Sequence, residues 1–511
     1  MPREVYTVQI KLDRTSKTPV YLQIKNQIRG MIYNGILTPG TQLPPERKLA
    51  QSLGINRSTV LTAYRELKAD GLVDSHVGRG TVVLPVLSQV SEKYDSMEIP
   101  AFHQFFSLAA ERTNDPLLND LLRMANQQNT ISFSAGISSL DTDPVECLEG
   151  IEKELREQPD HYALKHVPTG GLPSLRESIT QLMRERGTGV KPEEIMVLSG
   201  SQQGIFLTAQ AFLDLGDVVI VEEPSFFSAL HVFQAAGARI IGVPVDEDGM
   251  KVDVLEQLLR RHHPKLIYTM PTYQNPSGVS MSLERRRRLL ELAYREKILI
   301  LEDDPYGELR YEGPRLPTLF ELDSYGYVIY LSTFSKILFP GIRIGWMAAH
   351  QQIIHQMIML KQINDLHANS ISQWIVDRFL RKGGYHEHIQ RLCKDYGEKR
   401  DLMAESLMAH PVEGLEWTKP LGGFYFWCRL PDNLPHMSLL VNAQENGVSY
   451  VPGTAFYTGG RGGSFIRLNF TYPSKEKIPL GVKRLTQAIE ATARRAPIRF
   501  EGEFEEMLPI V

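Results

Sequence analysis

Cysteine is scarce: Cys147, Cys393 and Cys428 are the three in a chain of 511 residues. The number is odd, the spacing is wide and no CxxC occurs. Neither a disulfide framework nor a zinc knuckle is therefore expected, and a reducing cytoplasm is the expected compartment. Long apolar runs are missing too. No stretch approaches the roughly 20 uninterrupted apolar residues of a membrane span, and the first residues, with Arg3, Glu4 and Lys11, lack the apolar run of a signal peptide. Metal-ligand spacing is also absent, because His262-His263 and the pair His386 and His388 do not match HExxH and read as surface residues. At 42% hydrophobic and 23% charged residues, the chain falls outside the collagen-like, disordered and disulfide-rich classes. Its length allows two to four domains of roughly 100–200 residues each.

The whole chain also lacks a strong excess of either charge, at a formal net charge of -4. That average hides an asymmetry. Residues 1–85 hold twelve Lys or Arg against six Asp or Glu, a net +6, which leaves -10 for the remainder. A basic segment joined to an acidic body is the arrangement that contacts with nucleic-acid phosphates need.

Residues 19–34 place Tyr21, Ile24, Ile28, Met31 and Ile32 at helical spacing behind Pro19, with Gly35 as the stop. Pro44 and Pro45 lead into a second helix, Glu46–Leu53, which Gly54 closes. Asn56 is expected to cap a third helix that turns Val60, Ala63, Tyr64 and Leu67 inward and Arg57, Ser58, Thr62 and Arg65 outward. Segment 72–83 alternates around Gly78-Arg79-Gly80, as in a hairpin with Arg79 at its tip. A helix, a tight turn, a second helix and a hairpin make a helix-turn-helix with a wing. The ordered set LPPER, INRST, GL and GRGT resembles the winged helix-turn-helix of the GntR regulator family over nearly all of residues 19–83. By position, the resemblance implies contacts to double-stranded DNA from Arg47, Arg57, Ser58, Thr59 and Arg79. Two positions after Thr59, where some members carry a further Arg, this chain has Leu61.

Residues 85–102, with Pro85 and Pro100, lose periodicity and read as a linker between a head (1–84) and a body (103–511). In the body, apolar runs at 195–198, 218–221, 240–243, 266–268, 298–301 and 328–331 alternate with helical segments. This pattern predicts a parallel α/β sheet covered on both faces, with ligand chemistry at the strand carboxyl ends. The informative residues fall there. Ser199-Gly-Ser201-Gln202 opens a helix and presents backbone N–H groups to an anion. Phe226 offers a ring that packs in a core or stacks on a planar ligand. Asn275 sits in a turn, and the strand ending at 301 is followed by Asp303 and Asp304, where a basic nitrogen could be held protonated. Ser332-Thr333-Phe-Ser335-Lys336 precedes Arg343. Asp304 reads as solvated or capping, and Arg285–Arg288 as an exposed helix face after Ser282.

Taken together, Asn275, Asp303 with Tyr306, Ser335-Lys336, Arg343 and Arg467 resemble the fold-type I aminotransferases that bind pyridoxal 5'-phosphate (PLP). That resemblance runs from about residue 103 to 490. It implies an internal aldimine at Lys336, Asp303 on the pyridinium nitrogen, and Tyr306 and Asn275 on the ring oxygen. It further implies Phe226 stacked on the ring, the phosphate held by Ser201, Gln202, Thr333, Ser335 and Arg343, and a carboxylate clamped by Arg467. The family usually places a Tyr, which reaches the neighbouring subunit's phosphate, where this chain has His166; Tyr162 lies one helical turn earlier. A GntR-like head on such a body resembles the MocR subfamily of bacterial transcription regulators. The resemblance implies a cytoplasmic homodimer that binds an operator and senses PLP, an amino acid or an amine through the aldimine at Lys336. The alternative it leaves is an active aminotransferase with an accessory DNA-binding head.

Overall fold

Pro19 fixes the backbone ahead of α1 (Val20–Tyr33), where Ile24, Ile28 and Ile32 recur every fourth residue and are buried. In this computed structural model the described residues are 10–13, 18–76, 80–84, 102–112, 130–137, 150, 151, 153, 154, 157, 164–459 and 462–495. Arg79, Cys147, Tyr162 and most of segment 85–102 lie outside them. The chain divides into two units, Met1–Glu111 and Arg112–Val511.

In the first unit the α1 stripe packs with Leu49 of α2 (Glu46–Leu53) and with Val60, Ala63 and Leu67 of α3 (Arg57–Ala69) in one core. Gly54 ends α2 with φ 63°, a left-handed conformation that glycine adopts without a Cβ penalty. Asn56 stands at the N-cap of α3, but its side chain accepts no capping hydrogen bond, contrary to expectation. A more distant contact anchors the helix instead: the Tyr64 hydroxyl donates to the Pro44 carbonyl at 2.8 Å. β1 (Val73–His76) and β2 (Gly80–Val83) pair antiparallel, the wing that the alternation predicted.

The second unit opens on the short β3 (Ile131–Ser132) and continues into β4 (Ile195–Leu198), β5 (Val218–Glu223), β6 (Arg239–Asp246), β7 (Gly249–Met250) and β8 (Leu266–Thr269). β9 (Leu299–Asp303), β10 (Val328–Thr333) and β11 (Gly345–Ala348) complete the main sheet. Its eight strands lie in the order β4-β11-β10-β9-β8-β5-β6-β7. The sheet is mixed rather than parallel throughout, because β11 runs antiparallel to both β10 and β4. The link from Thr333 to Gly345 is too short for the crossover of a dozen or more residues that a parallel neighbour needs, so the chain turns back on itself. A second, antiparallel sheet of β12 (Glu416–Trp417), β13 (Tyr425–Arg429), β15 (Val451–Pro452) and β16 (Phe465–Asn469) follows the long helix Tyr385–Ala409. Between them, β14 (Val448–Ser449) pairs in parallel with β3.

Two polar groups read as exposed are buried. Arg286, within the Arg285–Arg288 run, is fully inaccessible and donates to the carbonyls of Met281, Pro271 and Pro317 and to the Thr272 hydroxyl. His388 is buried, with Nε2 donating to the Ile337 carbonyl at 2.7 Å. Arg286→Met strips four acceptors of their buried donor. It is expected to destabilise the body by about 3–5 kcal/mol, the cost of opening a buried polar network, read as a lower denaturant midpoint. A midpoint within error of the parent would contradict this role.

Candidate cofactor site

Five segments leave the main sheet at the carboxyl ends of β4, β5, β8, β9 and β10, and their side chains enclose a cavity of about 310 Å³. After β4, Gly200 takes φ 93° and the helix Ser201–Phe212 begins. A Cβ on Gly200 would lie 2.6 Å from a terminal nitrogen of Arg343, so only glycine lets that guanidinium approach. Arg343 itself has φ 52°. It donates from Nη1 to the Ser335 hydroxyl and from Nη2 to the Ser199 carbonyl, each at 3.2 Å. The Thr333 hydroxyl accepts from the Ser335 amide at 3.1 Å. A helix N-terminus, a guanidinium and these hydroxyls thus converge as a cradle for an anion.

Across the cavity, Lys336 reaches the Gly136 carbonyl and lies 6.0 Å from the centre of the Phe424 ring. Burial, reinforced by the positive charges of Arg467 and Arg343, pulls its ammonium down to about 8. Asp303, at the end of β9, is 1% exposed; its Oδ2 accepts from the Tyr268 hydroxyl at 3.0 Å. Its Oδ1 has no hydrogen-bond partner among the described residues. Burial pushes this carboxyl up to about 7, although the Tyr268 bond opposes the shift. Such a group awaits a cationic or N–H partner from a ligand.

Arg467 is 2% exposed, donating from Nη1 to Asn275 Oδ1 at 2.8 Å and from Nη2 to the Ser134 carbonyl at 3.1 Å. Its Nε is buried without a partner among the described residues, and its guanidinium lies 4.1 Å from the Tyr425 ring centre. Because Asn275 accepts through its oxygen, its NH₂ remains directed elsewhere as a donor. The Tyr306 and Tyr425 hydroxyls are 3.1 Å apart.

All eleven body residues that the resemblance assigned to PLP or to a bound carboxylate line this one cavity: Ser201, Gln202, Phe226, Asn275, Asp303, Tyr306, Thr333, Ser335, Lys336, Arg343 and Arg467. Ser134, Ala135, Gly136, Tyr425 and Val451 line it too. Sequence reasoning missed them because they follow β3 or lie in the second sheet, far from any strand end of the first. His166 is exposed and outside the cavity lining, with Nδ1 2.9 Å from His367 Nε2. Asp304 is neither solvated nor a cap: it is 1% exposed and accepts from the Tyr330 hydroxyl at 2.8 Å.

On the head, Arg47 and Ser58 are exposed and Thr59 is half-buried. Arg57 is engaged, 3.0 Å from the Glu46 carboxylate.

Comparison with known proteins accounts for both units. Residues 128–485 match the aminotransferase class I and II family, and residues 20–83 match the gntR family of bacterial regulatory proteins. An uncharacterized HTH-type transcriptional regulator, YisV of Bacillus subtilis, is 30% identical over 482 residues, covering 94% of this chain and 97% of its own. The probable rhizopine catabolism regulatory protein MocR of Rhizobium meliloti is 28% identical, covering 86% of this chain and 88% of its own. The α-aminoadipate aminotransferase LysN of Thermus thermophilus, solved with N-(5'-phosphopyridoxyl)-L-leucine, is 34% identical with a TM-score of 0.72. That match covers 77% of this chain and 99% of LysN. The fold and the cavity define a class I and II aminotransferase domain joined to a gntR-type DNA-binding domain. The chain belongs to the MocR subfamily of GntR regulators, and its cofactor is PLP.

Proposed function

We propose that this protein is a DNA-binding transcription regulator whose body holds PLP and senses an amino acid, an amine or PLP itself. One observation carries the reading: a single chain joins a solvent-facing recognition helix to a cavity in which Lys336, Asp303 and Arg467 converge. The pairing of the same two modules in MocR and YisV supports it. The LysN ligand, an amino acid joined to the phosphopyridoxyl group, supports an amino compound as effector. We place the protein in a bacterial cytoplasm as a homodimer, since paired heads suit paired half-sites.

The residues fit the cofactor. Asp303 Oδ1, without a hydrogen-bond partner among the described residues, suits a pyridinium N–H, and the Arg343, Ser335, Thr333, Ser201 and Gln202 cradle suits a phosphate. When bound, PLP supplies an aldehyde that takes up amines and a ring that draws electrons from them. Asp303, fixed by Tyr268, would hold a proton at the ring nitrogen, Tyr306 and the Asn275 NH₂ would hold the ring oxygen, and Phe226 would cover one face. Lys336 presents an amine that has shed its proton at mildly alkaline pH. Arg467, stacked beneath Tyr425, keeps Nε for the carboxylate of an incoming amino acid.

The pH dependence follows from two groups that act in one direction. Lys336 takes up a proton as pH falls through about 8, and Asp303 loses its charge as pH falls through about 7. Cofactor retention, followed by visible absorbance after dialysis, is therefore expected to weaken on acidification through that window. Retention that strengthens on acidification would contradict the assignment of both groups.

A second reading, an active aminotransferase acting on an amino acid, is favoured by the complete set of Lys336, Asp303, Tyr306 and Arg467 in one cavity. A keto-acid half-reaction separates the two. The regulator is expected to give a spectral change with amino acids but little release of keto acid. Rapid turnover with ordinary keto acids, together with no DNA retention at physiological salt, would overturn the regulatory reading.

A further inference from the structure

A second cavity, of about 390 Å³, lies on the other side of the chain that follows β9. Consecutive residues of an extended strand point to opposite faces, and here Asp303 lines the cofactor cavity while Asp304 lines this one. The loop after β8 is divided in the same way, with Asn275 in the first cavity and Thr272 and Tyr273 in the second. None of the residues assigned to PLP lines the second cavity.

Asp304 is the unusual group in it. The side chain is 1% exposed, Oδ2 accepts from Tyr330, and Oδ1 has no hydrogen-bond partner among the described residues. The nearest cation, Arg186, stands 3.8 Å from Oδ2 and is committed to Glu308 and to the Tyr330 hydroxyl. A buried carboxylate oxygen left in this state favours a donor from a ligand. Gly307 packs directly against it: a Cβ there would fall 2.4 Å from Oδ2 and 2.7 Å from Oδ1, so only glycine fits without displacing the carboxylate. The exposed Arg310 and Arg315 also line the cavity. Arg310 spends one nitrogen on the Gly313 carbonyl and Arg315 one on Glu321. The other N–H groups of each guanidinium remain for an anion.

We propose that this cavity is a second small-molecule site, distinct from the PLP site, for a zwitterion that sets an ammonium group against Asp304 and a carboxylate against Arg310 and Arg315. A simple amine meets the carboxylate but is repelled by the two arginines; a simple carboxylate meets the arginines but faces Asp304 and Glu308. Only a molecule carrying both charges satisfies the carboxylate and the guanidinium groups together.

The test is calorimetric titration of the full-length, PLP-loaded chain with a series of ω-aminoalkanoates, and with the matching alkylamines and alkanoates. An Arg467→Ala background removes the carboxylate clamp of the cofactor cavity. An ω-aminoalkanoate is expected to bind in that background, with its Kd raised about tenfold or more by Gly307→Ala, and likewise by the surface double change Arg310→Ala with Arg315→Ala. Asp304→Asn is expected to act in the same direction, and the surface pair keeps the test decisive if that buried change or Arg467→Ala impairs folding. Should the surface pair be needed in the parent background, the second of two binding events is the one it must remove. No binding, equal binding of alkylamine or alkanoate, or binding untouched by both Gly307→Ala and the arginine pair would overturn the proposal.

Discussion

Lys336→Ala is expected to leave a chain that folds and admits PLP but is no longer joined to it covalently. Borohydride treatment, which fixes the cofactor on the parent protein, should then label the variant at background level. The expectation rests on position. Lys336 follows β10, its Nζ is fixed by the Gly136 carbonyl, and burial with Arg467 and Arg343 nearby brings its ammonium down to about 8. Lys361, also buried, is paired with Asp365 at 2.8 Å and does not line the cavity. The alanine should not unfold the protein, because the removed amine gives up one accepting carbonyl in a cavity already open to a ligand. Loss of the covalent link should weaken retention by about tenfold or more, each such factor corresponding to about 1.4 kcal/mol. The phosphate cradle is untouched, so measurable binding remains. Undiminished reducible labelling of the variant would refute the assignment of Lys336.

The second large effect is expected on DNA. Arg47 is exposed and makes no ion pair among the described residues, whereas Arg57 is held by Glu46 at 3.0 Å. If both meet phosphates, Arg47→Ala should weaken binding across sequences and lower the slope of log affinity against log salt by about 1. Arg57 must first leave Glu46, so Arg57→Ala should cost less than Arg47→Ala, and Glu46→Gln should strengthen binding. Surface ion pairs are worth at most about 1 kcal/mol, which bounds the Glu46 effect. Fluorescence anisotropy over a salt series checks all three. An Arg47→Ala protein with the parent's affinity and salt slope would remove Arg47 from the interface.

The head was legible almost to the residue. Its apolar stripe, its prolines before α1 and α2 and the glycine after α2 all act within a few residues of themselves, which is the range over which sequence patterns speak. Only the Asn56 cap failed locally, where Tyr64 and Pro44, separated by a turn and a helix, tie α3 down instead. In the body, the strands that end in Asp303 and Thr333, and the one that precedes the Asn275 turn, were readable as apolar runs followed by polar residues. β11 was not, since Gly-Trp-Met-Ala is too short to show a period.

The misread polar residues share one cause. Arg286, Asp304 and His388 carry or can carry charge, and charge alone argues for exposure. Each is buried because distant segments supply its partners: Pro271 and Pro317 for Arg286, Tyr330 for Asp304, and Ile337 for His388. Tyr425 escaped notice for a related reason. It sits on β13, beside Arg467 of the neighbouring β16, and comes against Tyr306 only when the second sheet packs beside the first.

Amine recognition and DNA binding are proposed to be linked in one chain, and linkage makes the two reciprocal: a ligand that changes DNA affinity must be bound with changed affinity when DNA is present. The most direct measurement is the affinity of the PLP-loaded protein for its operator with and without the amino compound that alters its visible spectrum, repeated on Arg467→Ala. A shift of about 5-fold or more, the lower range of ordinary coupling, is expected, and its loss in the variant. A ligand that saturates the cavity, changes the spectrum and leaves operator affinity and promoter geometry unaltered would contradict it.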